Sequence, residues 1–225
     1  MKFDVITLFP KMFESPFEES IIARAIENKI IELKYHDMRQ WAWNNYGAVD
    51  DKPYGGDIGM LIRVDVIGKA LNDLGIKKGV RDSKIIMLSA RGKKYNQQKA
   101  EELANLKNIT LLCGRYEGFD QRISDLLIDE EISIGDYVLT GGEIGAMVVI
   151  DSVARLLPGV LGKDKSSKTE SFSEIEIGGK KIRPVEYPQY TRPQTYEGLE
   201  VPDILISGDL KKIEEWKKAQ IKKSL

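Results

Sequence analysis

The 225-residue chain has one cysteine, Cys113, and one histidine, His36, and these two scarcities remove whole classes of chemistry. A single cysteine forms no internal disulfide, so the composition does not point to an oxidising compartment. One Cys and one His assemble neither a zinc cluster nor a His-centred nucleophilic triad, which leaves proton transfer to a carboxylate, a lysine or a tyrosine. His36 itself falls in the strand-like Ile30–His36 segment and reads as structural. No apolar run is long enough for a secretory signal or a membrane span, and Met1-Lys2-Phe3-Asp4-Val5 leads straight into an alternating strand. A cytoplasmic protein without membrane contact is the expectation. An excess of charge of one sign is also missing: 34 Lys and Arg stand against 35 Asp and Glu, for a net charge of −1. An evenly basic nucleic-acid binder is excluded, and any RNA surface has to be local. Neither a Walker loop nor G-x-G-x-x-G occurs, so the usual nucleotide sites fail on spacing.

What is present is a series of apolar strands running into loops of small residues. Ile109-Thr110-Leu111-Leu112 leads into Cys113-Gly114-Arg115-Tyr116-Glu117-Gly118-Phe119-Asp120. Ile85-Ile86-Met87-Leu88 leads into Ser89-Ala90-Arg91-Gly92, and Tyr137-Val138-Leu139 reads as a third strand before Thr140-Gly141-Gly142-Glu143. If the strands are parallel, the three loops converge at the sheet's C-terminal edge, where ligands of α/β sheets bind. Glycines there let a ligand approach backbone N–H and C=O groups, which can read an adenine edge without charged side chains.

Between these loops the chain reads as α/β. Phe3 to Leu8 is a strand, and Ser15-Pro16-Phe17-Glu18 marks a helix start with Ile21, Ile22, Ala25 and Ile26 on its apolar face. The segment from Met38 to Met60 lacks helical periodicity and holds Trp41, Trp43, Tyr46 and Tyr54, the composition of a functional loop. Gln97–Leu106 and Gln121–Leu127 read as crossover helices. Gly142–Leu157 is a helix apolar nearly all round, through Ile144, Met147, Val148, Val149, Ile150 and Val153, which a dimer interface would account for. Pro158 to Pro193 is rich in Gly, Ser, Lys and Pro, with a hairpin pattern at Ile175–Ile182. Asp209 to Leu225 holds six lysines against three acids, with Ser207-Gly208-Asp209 as a helix start, and offers the local basic surface.

Seven ordered motifs complete the pattern: Pro53-Tyr54-Gly55-Gly56, Cys113 to Gly118, Ser133-Ile134-Gly135-Asp136-Tyr137-Val138-Leu139, Gly141-Gly142-Glu143, Asp151-Ser152-Val153, Pro158-Gly159-Val160-Leu161-Gly162 and Tyr190-Thr191-Arg192-Pro193. From Met1 to about Lys218 the chain resembles the bacterial tRNA (guanine-N1)-methyltransferases of the SPOUT superfamily. The resemblance implies an α/β fold whose parallel sheet carries a deep trefoil knot on its C-terminal side, followed by a small helical domain. It implies a knotted domain over 1–161, a mobile linker or lid over 162–193, and a helical tRNA-contacting domain over 194–225. In the family that last domain closes with a Thr- and Arg-rich segment, which the resemblance places beyond Leu225.

The implied reaction moves a methyl group from S-adenosylmethionine to N1 of guanosine 37, in a tRNA with G at positions 36 and 37, on a homodimer. Motif by motif, the donor site falls on Leu88, Gly92, Gly114, Tyr116, Ile134, Gly135, Tyr137, Val138, Leu139, Gly141 and Gly142, mostly through backbone. Glu117 and Asp136 are alternative partners for the donor's amino group, and each is also suited to capping a turn. Guanine N1 must lose a proton, so a general base is required. The family's base is an Asp before Ser-Phe, and here Glu170 stands there, in Lys168-Thr169-Glu170-Ser171-Phe172. A carboxylate titrating near about 4.3 is a weak base for N1, each unit of mismatch costing about 1.4 kcal/mol. Arg155, at the family's Arg position, is assigned to stabilise the developing charge on O6. Family members also benefit from magnesium, for which the sequence shows no carboxylate cage. Ala90, Gly145 and Asp57 depart from the family's Pro, Pro and Gly. Two alternatives stay open at this level: a knotted dimer that binds S-adenosylmethionine or RNA with weak or lost catalysis, and a SPOUT methyltransferase acting on another RNA.

Overall fold

A computed structural model describes residues 1–161, 170–177 and 179–223. Most of the Leu161–Glu170 part of the expected linker, and the Gly178 turn of the expected hairpin, therefore lie outside the described residues. The chain divides into two compact units, Met1–Gly162 and Lys163–Leu225.

The first unit is built on a five-stranded sheet. Its strands are β1 (Lys2–Thr7), β2 (Glu32–Asp37), β3 (Ser83–Lys94), β4 (Asn108–Cys113) and β5 (Glu130–Ser133). Their spatial order is β2-β1-β4-β3-β5, and every pairing is parallel. The five principal helices of the unit are α1 (Ser20–Glu27), α2 (Val64–Asp73), α3 (Gln97–Leu103), α4 (Gln121–Leu126) and α5 (Glu143–Ala154). A sheet covered on both faces demands apolar residues on both sides of each strand, and the period-2 alternation supplies two cores. Phe3, Val5, Ile86, Ile109 and Leu111 face α1, α3 and α5, packing with Ala25, Leu103, Val149 and Val153. Ile6, Ile85, Met87 and Leu112 face the other way, with Val66, Ile67 and Ile123 of α2 and α4. Truncating one such residue, Leu111→Ala for example, should cost about 2–5 kcal/mol.

The observed elements depart from the sequence reading in three places. Ser15 does not cap α1. Pro10–Phe13 forms a 3₁₀ turn and Glu14–Phe17 a short helical turn, and the true helix begins at Ser20 after an extended Glu19. Burial of Phe13 and Phe17, whose rings stack at 6.3 Å, overrides the capping signal. Tyr137-Val138-Leu139 is not a strand. The pairing strand is Glu130–Ser133, and the three apolar residues that follow are 55%, 89% and 36% exposed. They border a cavity rather than a core. Lastly, Ser89–Gly92 does not end β3: Ile132 pairs with both Leu88 and Lys93, so these four residues bulge out of a strand that continues to Lys94. His36 lies on β2 with Nε2 2.8 Å from Asp4 Oδ1, a structural contact.

The second unit contains two hairpins, Ile175–Ile177 with Lys180–Ile182 and Thr195–Tyr196 with Leu199–Glu200. A short helix Asp203–Ile206 precedes α6 (Leu210–Lys223). Asp209 accepts from the Lys212 backbone N–H at 3.1 Å, the N-cap that the Ser-Gly-Asp signal predicts. Trp216 of α6 sits 6.4 Å from the Tyr187 ring and 6.5 Å from that of Tyr190, with Lys217 over Tyr187.

Candidate active site

A cavity of about 530 Å³ opens at the C-terminal ends of β3, β4 and β5. Its walls are Leu88 to Arg91 from the β3 bulge, Gly114 to Phe119 after β4, and Ile134, Gly135 and Tyr137 to Gly142 after β5. Parallel strands thus bring the three small-residue loops together. Gly145, in the first turns of α5, also lines the cavity.

Close approach of backbone at Gly92 and Gly142, and of side chains at the others, leaves most of these glycines without room for a Cβ. The Gly142 N–H donates to Gly114 C=O at 2.9 Å, and a Cβ on Gly142 would stand 2.8 Å from Cys113 Cα. A Cβ on Gly135 would meet the Tyr137 ring at 2.3 Å, and the Tyr137 hydroxyl donates to Ile134 C=O at 3.2 Å. Tyr116 takes a left-handed φ of 60°, which turns the β4 loop sharply ahead of Gly118. The preceding Met60–Ile62 segment is zipped onto this loop: Glu117 N–H donates to Met60 C=O, and Ile62 N–H to Gly118 C=O. Gly59 is required where it packs on Glu117, because a Cβ there would lie 2.3 Å from Glu117 Cγ.

Most of the sequence-assigned donor residues line the cavity: Leu88, Gly114, Tyr116, Glu117, Ile134, Gly135, Tyr137, Val138, Leu139, Gly141 and Gly142. Gly92 and Asp136 are not among its lining residues. A Cβ on Gly92 would stand 2.5 Å from the Ile132 backbone, so this glycine lets two chain segments pass, and the Asp136 carboxylate is bonded to Lys94 Nζ. Glu131 lines the cavity too, and its Oε1 is buried without a hydrogen-bond partner, 3.9 Å from Arg91 Nη2.

A cavity of this volume suits a nucleoside-sized ligand. Walls of backbone amides and apolar side chains, with carboxylates at Glu117 and Glu131, fit a donor that joins an adenosine to a cationic sulfonium. Burial pushes the Cys113 thiol well above its usual range, with the Glu143 carboxylate adding to the effect, so Cys113 is a packing residue rather than a nucleophile.

Arg155 is held elsewhere. It caps the C-terminus of α5, its N–H bonded to Asp151 C=O, while Gly142 is the residue before the helix. At 1.5 Å per residue the two are about 20 Å apart along the axis, and Arg155 does not line the cavity. Glu170 belongs to the second unit, in a turn where its C=O accepts from Ser173 N–H at 3.1 Å and Phe172 N–H donates to Pro184 C=O.

Sequence reasoning missed a charged pair, with its carboxylate buried, behind the glycine loops. Glu143, at the first position of α5, is 1% exposed; its Oε1 accepts from Thr7 Oγ1 at 2.7 Å, and its Oε2 lies 3.0 Å from Arg115 Nη2. The Arg115–Glu143 contact is a charge pair without hydrogen-bond alignment, leaving Glu143 Oε2 and Arg115 Nε without hydrogen bonds. The signal was a lone acid heading an otherwise apolar helix.

The sequence pattern of the tRNA (guanine-1)-methyltransferase TrmD family matches residues 1–224. The chain belongs to that family. Its relatives include a tRNA (guanine-N(1)-)-methyltransferase of Geobacter sp. (strain M21), 46% identical over all of this chain and 87% of that protein. The protein of the same name from Carboxydothermus hydrogenoformans is 49% identical over 98% of this chain and 82% of its own length. That of Clostridioides difficile (strain 630) is 44% identical, with coverage of 98% and 92%. Identity at this level spans both compact units, so the glycine loops, Arg155 and Glu170 all fall within the matched region.

Proposed function

We propose that the chain is an S-adenosylmethionine-dependent tRNA (guanine-N1)-methyltransferase acting on guanosine 37 next to a G at position 36. The glycine-walled cavity at the ends of three parallel strands, in a chain that belongs to the TrmD family, carries this reading. When bound, S-adenosylmethionine supplies an electrophilic methyl group on a sulfonium sulfur. Leu88, Gly114, Tyr116 and the Ile134–Gly142 loop hold its adenosine, chiefly through backbone groups. Of the two candidates for the amino group, Glu117 is favoured, since it faces the cavity while Asp136 is engaged by Lys94. Gly92 acts indirectly, by letting the β3 bulge lie against β5.

Glu170 is the group assigned to take the N1 proton, and Arg155 the donor to O6 as negative charge builds there. Arg155 stands a helix length from the cavity of its own chain, which supports a homodimer in which a second copy supplies it. Ile144 and Val148 on the outer face of α5, 47% and 40% exposed, suit such an interface. A knotted path for residues 1–161 is supported by the tight crossings at Gly92 and Gly142. Residues 162–193 are proposed as the linker bearing the base, and 194–225 as the tRNA-contacting domain, where Trp216 and the lysines of α6 provide stacking and phosphate contacts. Among the described residues no three His, Cys, Asp or Glu side chains converge. No described helix is long and apolar enough to cross a membrane, and a cytoplasmic location goes with a tRNA substrate.

Methyl transfer from labelled S-adenosylmethionine to an unmodified transcript with G36 and G37 tests the reading, comparing wild type with Glu170→Ala and Glu170→Asp. Turnover that Glu170→Ala abolishes and Glu170→Asp keeps is expected. Undiminished turnover in Glu170→Ala would remove Glu170 as the base, and absent wild-type turnover with donor and tRNA both bound would refute the enzymatic assignment.

A further inference from the structure

The Arg115–Glu143 pair, its carboxylate buried and its guanidinium partly so, lies between the two glycine loops. Arg115 is part of the β4 loop, whose backbone forms one wall of the cavity. Its side chain leaves that wall and reaches the opposite one, where Nη1 donates to Thr140 C=O at 3.0 Å. Glu143 follows the β5 loop directly and is fixed from behind by the Thr7 hydroxyl at the end of β1. Gly141, between the two, has no room for a side chain: a Cβ there would lie 2.3 Å from Arg115 Nε and 2.5 Å from Glu143 Oε2. The Phe9 ring covers the guanidinium, 4.5 Å from its carbon.

These contacts engage most of Arg115: Nη2 also donates to Met12 Sδ at 3.3 Å, while the buried Nε has no hydrogen-bond partner. Its charge is matched by a carboxylate, one nitrogen is held by a carbonyl, and its face is covered by an aromatic ring. A guanidinium so placed is unsuited to binding tRNA phosphate or guanine O6, although it lines the cavity. We propose that Arg115 and Glu143 are positioning residues forming an electrostatic latch, which fixes the spacing of the two glycine loops and thereby the affinity for the methyl donor. The aligned bond to Thr140 C=O fixes the direction of the latch, and the Glu143 charge, which has no hydrogen-bond alignment, holds the guanidinium against the β5 loop. The proposal rests on the donor-site reading above.

Three variants separate the latch from a structural ion pair: Arg115→Met, Glu143→Gln and the double variant, each measured for thermal midpoint, for donor dissociation constant by calorimetry, and for donor KM, tRNA KM and kcat. Arg115→Met strands a buried carboxylate and should lower the midpoint, whereas the double variant removes both charges, keeps an acceptor for Thr7, and should recover most of it. Donor affinity should not recover. It is expected to fall about tenfold or more in Arg115→Met and in the double variant, and less in Glu143→Gln, with donor KM rising in parallel and tRNA KM unchanged. Donor affinity within twofold of wild type in all three variants would overturn the latch, as would affinity and midpoint recovering together in the double variant. A wild-type chain that binds no S-adenosylmethionine would overturn the donor site itself, and the latch with it.

Discussion

Gly142 and Gly135 line the same cavity, yet alanine should act on them in opposite ways. At Gly142 the added methyl would lie 2.8 Å from Cys113 Cα and 2.9 Å from Gly114 N, both backbone atoms of a buried strand end. Neither can move alone, and the Gly142 N–H bond to Gly114 C=O would be strained with them. Overpacking of this kind costs about 1–3 kcal/mol, and a lost hydrogen bond about 1 more. For a chain of this size each kcal/mol corresponds to about 2–4 °C, so Gly142→Ala should lower the thermal midpoint by roughly 5–15 °C. At Gly135 the obstacle is the Tyr137 ring, at 2.3 Å but 55% exposed and able to rotate into solvent. Gly135→Ala should leave the midpoint within about 2 °C, because lost freedom of the unfolded chain offsets the contact. It should weaken donor binding about tenfold, roughly 1.4 kcal/mol, since the displaced ring is part of the cavity wall. Scanning calorimetry and donor titration on both variants check the contrast. An unchanged midpoint for Gly142→Ala, or a large drop for Gly135→Ala with intact donor affinity, would refute the assignment of the crossing to Gly142 and the wall to Gly135.

Other outcomes follow from the same geometry. Gly145→Ala places a methyl 3.3 Å from the flexible end of Leu88 inside α5; the helix should gain about 0.5–1 kcal/mol, while donor affinity falls modestly because Leu88 lines the cavity, and a lower midpoint would contradict this. Cys113, fully buried with its thiol pushed up by burial, should resist alkylation at pH 8 in the native protein and react on unfolding; rapid native labelling would show that the Cys113–Gly142 crossing opens. Lys84 and Lys99 hold the Glu102 carboxylate at about 2, below its usual value. A depressed carboxylate stabilises above its unfolded pKa and loses that contribution as pH falls. With the Glu102 side chain 49% exposed, solvent screening limits the effect to about 1 kcal/mol. Urea denaturation of Glu102→Gln should show that deficit at pH 7, less of it at pH 3 and little at pH 2, and a deficit independent of pH would count against the network.

The parallel sheet was legible because buried strands such as Ile85–Leu88 and Ile109–Leu112 are apolar on both faces and are punctuated by glycine, so their loops could be placed at one edge before any coordinates. Tyr137–Leu139 looked the same and was not a strand, because an apolar triplet bordering a cavity has the composition of one entering a core. What distinguishes them is Glu130–Ser133, whose Ile132 buries itself between polar neighbours and whose Glu130 is paired with Lys84 of the neighbouring strand and Lys99 of α3. Ser15 failed for a related reason. Capping is worth about 1 kcal/mol, less than the burial of Phe13 and Phe17, so local signals yield where aromatic side chains have a core to enter.

The site itself divides along the same line. Glycines at 114, 135, 141 and 142 are visible in the sequence as glycines, and their loops could be assigned to a ligand from their positions after strands. The Arg115–Glu143 pair could not, because its meaning lies in a contact across 28 residues whose charges look like surface charges until the fold buries one of them. The charged side chains in the cavity wall are few, Arg91, Arg115, Glu117 and Glu131, so each has to be accounted for by what it touches. Arg115 touches Glu143, Thr140 C=O and Phe9, while Arg155 lies a helix away. On the proposed reading, acceptor chemistry falls to Glu170 and, from another copy, to Arg155, neither of which is among the residues lining the cavity. On that reading the cavity of one chain suffices to bind the donor and does not suffice for transfer. Donor binding should survive both Glu170→Ala and Arg155→Ala at close to wild-type affinity while methyl transfer is lost, and a mixed dimer of the two variants should regain activity in one of its two sites if Arg155 and Glu170 act from different chains on the same guanine. Failure of the mixture to regain any turnover, with mixed dimers shown to form, would place both groups on one chain.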